Sequence, residues 1–179
     1  MPRRKERRNT GGNVTNETAQ NRKSLSIIVS KGTLDWAYPP FILATTAAAM
    51  DMDATLFFTF YGLGLLKKDL DLEISPLGNP AMKMPMAGMH IGMPNLVAAL
   101  PGVTAGATAM MKNMIGKKGV ASIAELRDIA LESGVKLVAC QMTMDLFEFR
   151  KEDMIDGVSF GGAATYLSEA VKADVNLFI

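Results

Sequence analysis

The chain has 179 residues, 49% of them hydrophobic and 21% charged, which is the size of one compact domain with a tail. One cysteine, Cys140, excludes an internal disulfide, a CxxC redox pair and a cysteine cage for zinc. One histidine, His90, leaves any Ser-His-Asp or Cys-His mechanism a single base. The formal net charge of +1 hides an asymmetry. Residues 1–24 carry seven basic and two acidic residues, whereas residues 25–179 carry twelve basic and sixteen acidic ones. The body is therefore no nucleic-acid surface by charge. The basic tail has almost nothing to bury, and disorder is expected over residues 1–24. Arg3-Arg4 and Arg7-Arg8 are followed by Asn-Thr-Gly-Gly-Asn rather than an apolar segment, so export is not expected. A cytoplasmic location with a reduced thiol follows. No run of eighteen apolar residues occurs, and the best stretch, residues 41–66, is interrupted by Asp51 and Asp53.

Residues 25–30 are a short apolar, β-branched run stopped by Lys31-Gly32, which predicts a buried strand and a turn. Residues 35–50 are alanine-rich and long enough for a helix. Pro39 and Pro40 confine its regular part to their C-terminal side or occupy its first turn. Residues 54–60 are apolar without alternation, as in a parallel strand covered on both faces. Tyr61-Gly62-Leu63-Gly64 then leads into a short helix ending at Lys67-Lys68. Residues 71–121 break the rhythm: seven Pro and Gly positions from Pro76 to Pro94 exclude long elements, and two apolar helices follow at 95–100 and 103–115. So long an excursion suits a lid, an interface or a mobile insertion.

Ser122-Ile123-Ala124-Glu125 reads as a capping box opening a helix that Gly134 ends. Residues 135–140 predict a strand, 143–147 a short helix, 156–160 a brief strand, 163–172 a helix and 175–179 a last strand. The alternation predicts an α/β fold, a three-layer sandwich around a mainly parallel sheet of about five strands, in a single domain over residues 25–179.

Ligand sites in open parallel sheets lie beyond the carboxyl ends of the strands. Four segments converge there: Lys31-Gly32-Thr33, Tyr61-Gly62, Cys140-Gln141-Met142-Thr143 and Gly161-Gly162. Cys140 ends its strand just before a helix that Thr143 is placed to cap, a setting that favours thiolate. A buried core cysteine is the alternative reading of the same position.

Three motifs narrow this: Thr59-Phe60-Tyr61-Gly62-Leu63, Cys140-Gln141-Met142-Thr143-Met144-Asp145, and Asp156-Gly157-Val158 through Gly161-Gly162-Ala163-Ala164. Together they resemble the DsrE/DsrF-like family, in particular its DsrE2 branch of sulfurtransferases, some of which are labelled peroxiredoxins. The resemblance spans about residues 25–179. It implies a compact α/β fold, homo-oligomerisation, and a cysteine that holds sulfane sulfur as a persulfide and passes it to a partner thiol. Cys140 takes that role. Gly32, Tyr61, Gly62, Gln141, Thr143, Gly161 and Gly162 are the accompanying binding candidates. Tyr61 and Trp36 either line the pocket or pack ordinarily. Asp145 tunes the thiolate or is one more carboxylate in a helical first turn. Sulfur donors and acceptors, as proteins or small persulfides, are the implied partners, and no cofactor is implied. The peroxidase label lacks its parts, because no proline or threonine precedes Cys140 within residues 135–139.

Met82, Met84, Met86, Met89 and Met93 surround His90, and thioether and imidazole suit Cu(I). The alternative is a flexible apolar lid or contact surface. A non-catalytic interaction or Cu(I)-binding module is accordingly the rival function. Helix 103–115 presents Gly106, Ala107, Ala109, Met110 and Met114, and burial in an oligomer is expected in preference to membrane contact. Dinucleotide and P-loop signatures are absent.

Overall fold

The computed structural model describes residues 22–75, 83–86, 89–92 and 100–179, the two short inner stretches by their backbone alone. Strand β2 (Asp53–Phe58) ends in two phenylalanines that face opposite sides of the sheet, as successive strand residues must. Phe58 packs on Phe41 of helix α1 (Leu34–Ala49), with ring centroids 5.9 Å apart. Phe57 packs on Tyr166 of helix α5 (Ala163–Ala170) at 5.0 Å. One strand thus touches a helix on each face, which makes the fold a three-layer sandwich. It also accounts for the unbroken apolar run, because no position of β2 after Asp53 faces water. Burying Phe41 and Phe58 completely contributes about 2–3 kcal/mol each.

Strand β1 (Ser24–Val29) pairs in parallel with β2, and β2 pairs with β5 (Lys136–Cys140). Beyond β5 lies β6 (Ser159–Gly161), and on the far side of β1 lies β7 (Val175–Phe178). The order β6-β5-β2-β1-β7 is parallel throughout, as expected for the five strands. A separate antiparallel hairpin pairs β3 (Lys83–Met86) with β4 (Met89–Gly92), inside the excursion. Residues 1–21, and all but Leu100 of the helix expected at 95–100, lie outside the described residues.

Helix α2 (Val103–Lys117) turns Val103, Ala107, Met111 and Ile115, one residue per turn, toward the body. Thr108 of this helix accepts the Ile74 amide at 3.1 Å. Helix α3 (Ile123–Glu132) begins with the predicted capping box, Ser122 and Glu125 each accepting the other's amide. Its Arg127 is buried, and one guanidinium nitrogen donates to the carbonyls of Leu65 (3.2 Å) and Lys67 (2.7 Å). Those carbonyls end the 3₁₀ turn Phe60–Leu66. Among the described residues no helix is long and apolar enough to cross a membrane.

Four local expectations are corrected. Helix α1 starts at Leu34, so Pro39 and Pro40 stand past its first turn. The missing amides are outweighed by burial of Ala37, Pro40, Phe41, Ala44 and Ala47. Strand β2 stops at Phe58 rather than residue 60, because Phe60 takes a left-handed backbone. Strand β6 starts at Ser159 rather than residue 156, because Gly157 turns the chain at φ 85°. Helix α5 ends two residues early, at Ala170.

Candidate functional site

Cys140 closes β5 and immediately precedes helix α4 (Gln141–Leu146), whose N-cap position it occupies. Across the sheet it pairs with Gly161 of β6. On its other side the β2–β5 register runs to Phe58 and Ala139, so the chain beyond Phe58 leaves the sheet beside the cysteine. Thr59 is the first residue past that edge. Its hydroxyl lies 3.1 Å from the hydroxyl of Thr143.

Thr143 does not cap α4, contrary to expectation. It lies inside the helix and is fully buried, and its oxygen accepts the Phe60 amide at 3.3 Å. The helix starts two residues earlier than its sequence shows because the strand runs into it without a loop.

The Cys140 sulfur makes no capping hydrogen bond. Burial pushes its thiol up, since the residue is only 4% exposed. The Thr143 hydroxyl and amide, the Thr59 hydroxyl and the Met142 amide together pull it down further, and the net pKa lies below the ordinary thiol value. The two amides belong to the first turn of α4, where no helical carbonyl accepts them. The balance of these influences favours the anion.

Phe60 adopts φ 46°, a region that bulky side chains rarely enter. It begins an exposed aromatic group just past the end of β2. Tyr61 is 74% exposed and stacks on Phe147 at 5.8 Å, while Phe60 and Phe149 meet Phe147 edge-on.

The remaining candidates divide by role. Gly32 and Gly62 join two strand ends. A Cβ on Gly32 would fall on the Tyr61 carbonyl, and one on Gly62 would fall on the Val29 carbonyl. The Gly62 amide donates to Ser30 at 3.1 Å. Both positions thus have a packing reason to be glycine. Gln141 donates to Asp145 at 2.9 Å, which ties Asp145 into the helix. Gly161 sits against Thr165, and Gly162 caps α5 with open space around it. Trp36 lies under the Lys31 ammonium, 3.2 Å from its ring centre. Sequence reasoning missed Thr59 and Phe60 as partners of Thr143, and Phe147 as the centre of the aromatic group. Thr59 and Phe60 lie within a motif already noted, but their contact with Thr143 depends on which strands are adjacent.

The sequence profile of the DsrE/DsrF/DrsH-like family matches residues 21–178. The chain belongs to this family. It is 56% identical over 158 residues to the sulfur carrier protein DsrE2 of Allochromatium vinosum, covering 88% of this chain and 99% of that protein. That similarity supports the DsrE2 branch. It is also 34% identical over 166 residues to the uncharacterized protein YrkE of Bacillus subtilis, covering 89% and 99%. The crystal structure of the ychN protein from E. coli superposes with a TM-score of 0.52 at 13% identity, over 88% of this chain and 99% of that one. The last likeness concerns the fold.

Two other features of this DsrE-like chain stand apart from Cys140. A largely apolar cavity of about 400 Å³ lies between α1, α2 and α3, walled by Leu34, Tyr38, Leu72, Ile115 and Val120. Neither Cys140, Thr59 nor Thr143 lines it. Among the described residues no three His, Cys, Asp or Glu side chains are grouped to hold a metal. Met82 and the side chains of Met84, Met86, Met89 and His90 lie outside the described residues.

Proposed function

We propose that this chain carries sulfane sulfur as a persulfide on Cys140 and passes it to a partner thiol. The observation that carries the reading is the place of Cys140 at the carboxyl end of a parallel strand, where β5 runs directly into α4 and the Thr59 and Thr143 hydroxyls meet at 3.1 Å. The relative named a sulfur carrier, matched over 99% of its length, supports it.

The chemistry is thiol exchange. The Cys140 thiolate attacks the outer sulfur of a donor persulfide, R–S–SH. The donor's S–S bond breaks, R–S⁻ leaves, and Cys140 holds –S–SH. An acceptor thiolate then attacks that outer sulfur, the new S–S bond breaks, and Cys140 returns as thiolate. Each step exchanges one S–S bond for another, so no external oxidant or reductant enters. One cysteine suffices because donor and acceptor are other molecules. The Met142 and Thr143 amides and the two threonine hydroxyls stabilise the anion at each resting stage.

The slight exposure of Cys140 selects slender donors and acceptors: small persulfides, polysulfide, or a cysteine on a protruding segment of a partner protein. A homo-oligomer in the cytoplasm is part of the same reading. The oligomer is supported by the β7 edge, whose outer side pairs with no described strand and where Phe178 is 73% exposed. Intact mass after incubation with polysulfide tests the carriage. The unaltered chain gains whole sulfur atoms that a reductant removes, and Cys140→Ser gains none.

A further inference from the structure

We infer that a polar cavity at the amino ends of the strands, beneath the end of helix α5, binds a small oxyanion at a site separate from Cys140. The strand register sets Lys136, Thr55, Ser26 and Asn176 side by side across β5, β2, β1 and β7. Residues adjacent in register share a face of the sheet. Thr55 shares its face with Phe57, two positions on, which packs against Tyr166 of α5. One row further along, that face carries Val138, Phe57, Ile28 and Phe178. A polar row therefore stands beside an apolar one, and its centre is covered: Ser26 is 2% exposed and Thr55 9%.

Ser26, Thr55 and Lys136 line a cavity of about 380 Å³, together with Glu169 of α5 and Lys172 just beyond it. Among the described residues the Ser26 hydroxyl has no hydrogen-bond partner. Leaving a buried hydroxyl unpaired is costly, and buried polar atoms nearly always find protein, water or a ligand. Asn176, on the outer side of Ser26, is already engaged, since its amide donates to the Ala170 carbonyl at 3.0 Å. The proton of Ser26 is left for an occupant of the cavity.

Charge selects the sign of that occupant. Arg22, Lys136 and Lys172 line the cavity against two carboxylates, Asp53 and Glu169. Arg22 stands 3.7 Å from Asp53, and Lys136 stands 3.7 Å from Glu169. Each carboxylate is thus answered by one cation, in exposed pairs too long and too screened to hold those cations tightly. Lys172 has no ion-pair partner among the described residues. A cation entering here meets an excess of its own charge. An oxyanion accepts from the buried hydroxyl and meets the surplus ammonium. Lys136 and Cys140 are the two ends of β5, about 13 Å apart along the strand. An ion at one end therefore leaves the sulfur at the other untouched.

Equilibrium dialysis of the full chain against inorganic phosphate, at fixed ionic strength, tests the inference. One ion per chain is expected. Ser26→Ala is expected to bind it about tenfold more weakly, the weight of one hydrogen bond to a charged group. Lys172→Gln weakens binding too, and makes what remains less sensitive to salt. Cys140→Ser binds as the unaltered chain does. Glycerol phosphate, dialysed in parallel, distinguishes an ester from the free ion. Saturable binding of either probe that is weakened by Ser26→Ala supports the site, and the tighter probe names its source. No saturable binding of either at millimolar concentration would overturn the inference. Equal binding by Ser26→Ala and the unaltered chain would overturn it as well. Where melting shows the alanine variant unfolded, Thr55→Val takes its place and is held to the same outcomes.

Discussion

The hydroxyls of Thr59 and Thr143, 84 positions apart in sequence, meet at 3.1 Å in the turn of helix that follows Cys140. Thr59 directly follows β2 and Thr143 lies in the first turn of α4 after β5, so the adjacency of these two parallel strands brings them together. Thr143→Val keeps the shape and removes the proton. It is expected to raise the alkylation midpoint of Cys140 toward the ordinary thiol value, and Thr143→Ser restores it. A pH series of alkylation rates on the two variants checks this. An unchanged midpoint in the valine variant would remove the hydroxyl from the account.

The same thiol makes stability depend on pH. Its folded pKa lies below the unfolded one, so between the two the unfolded chain binds more protons. Stability from this group is present above the unfolded value and is lost as pH falls through the folded value. Denaturant unfolding across that window is expected to show stability rising with pH in the unaltered chain. Cys140→Ser, which has no group titrating there, shows that rise reduced.

Gly62 stands where a Cβ would fall on the Val29 carbonyl, which belongs to the rigid end of β1. Gly62→Ala therefore forces two strand ends apart. It is expected to cost about 3 kcal/mol or more, as overpacking against backbone does. Thermal unfolding measures the loss. Because the displaced turn follows Thr59 and Phe60, the cysteine's alkylation midpoint rises as well.

Ser122 accepts the Glu125 amide at 3.2 Å and its own amide donates to the Glu125 carboxylate at 2.7 Å. Ser122→Ala removes half of this box and is expected to destabilise the protein by about 1 kcal/mol. Cys140 lies outside α3, and its reactivity is expected to stay as it was. A matched pair of melting and alkylation experiments separates the two effects.

The capping box was legible because both its partners lie within four residues of each other. The apolar runs of β2 and β5 were legible for a related reason. A strand covered on both faces excludes polar residues all along its length, as Ala54 to Phe58 show. Cys140 stood out through its place at a strand end. The pairing of Thr59 with Thr143 did not, because strand order is a property of the assembled sheet. The left-handed Phe60 was equally hidden, since phenylalanine does not favour that conformation and only its surroundings impose it. Pro39 and Pro40 misled in the opposite direction. A local rule against proline inside a helix gave way to the burial of Pro40 and Phe41 under the sheet.

The central claim is that Cys140 bears sulfur. The most direct measurement is the intact mass of the purified chain after exposure to polysulfide, with and without reductant, beside Cys140→Ser. The account predicts added mass in whole sulfur atoms, reversed by reductant and absent from the variant. No added mass on the unaltered chain, or equal mass on both, would contradict it.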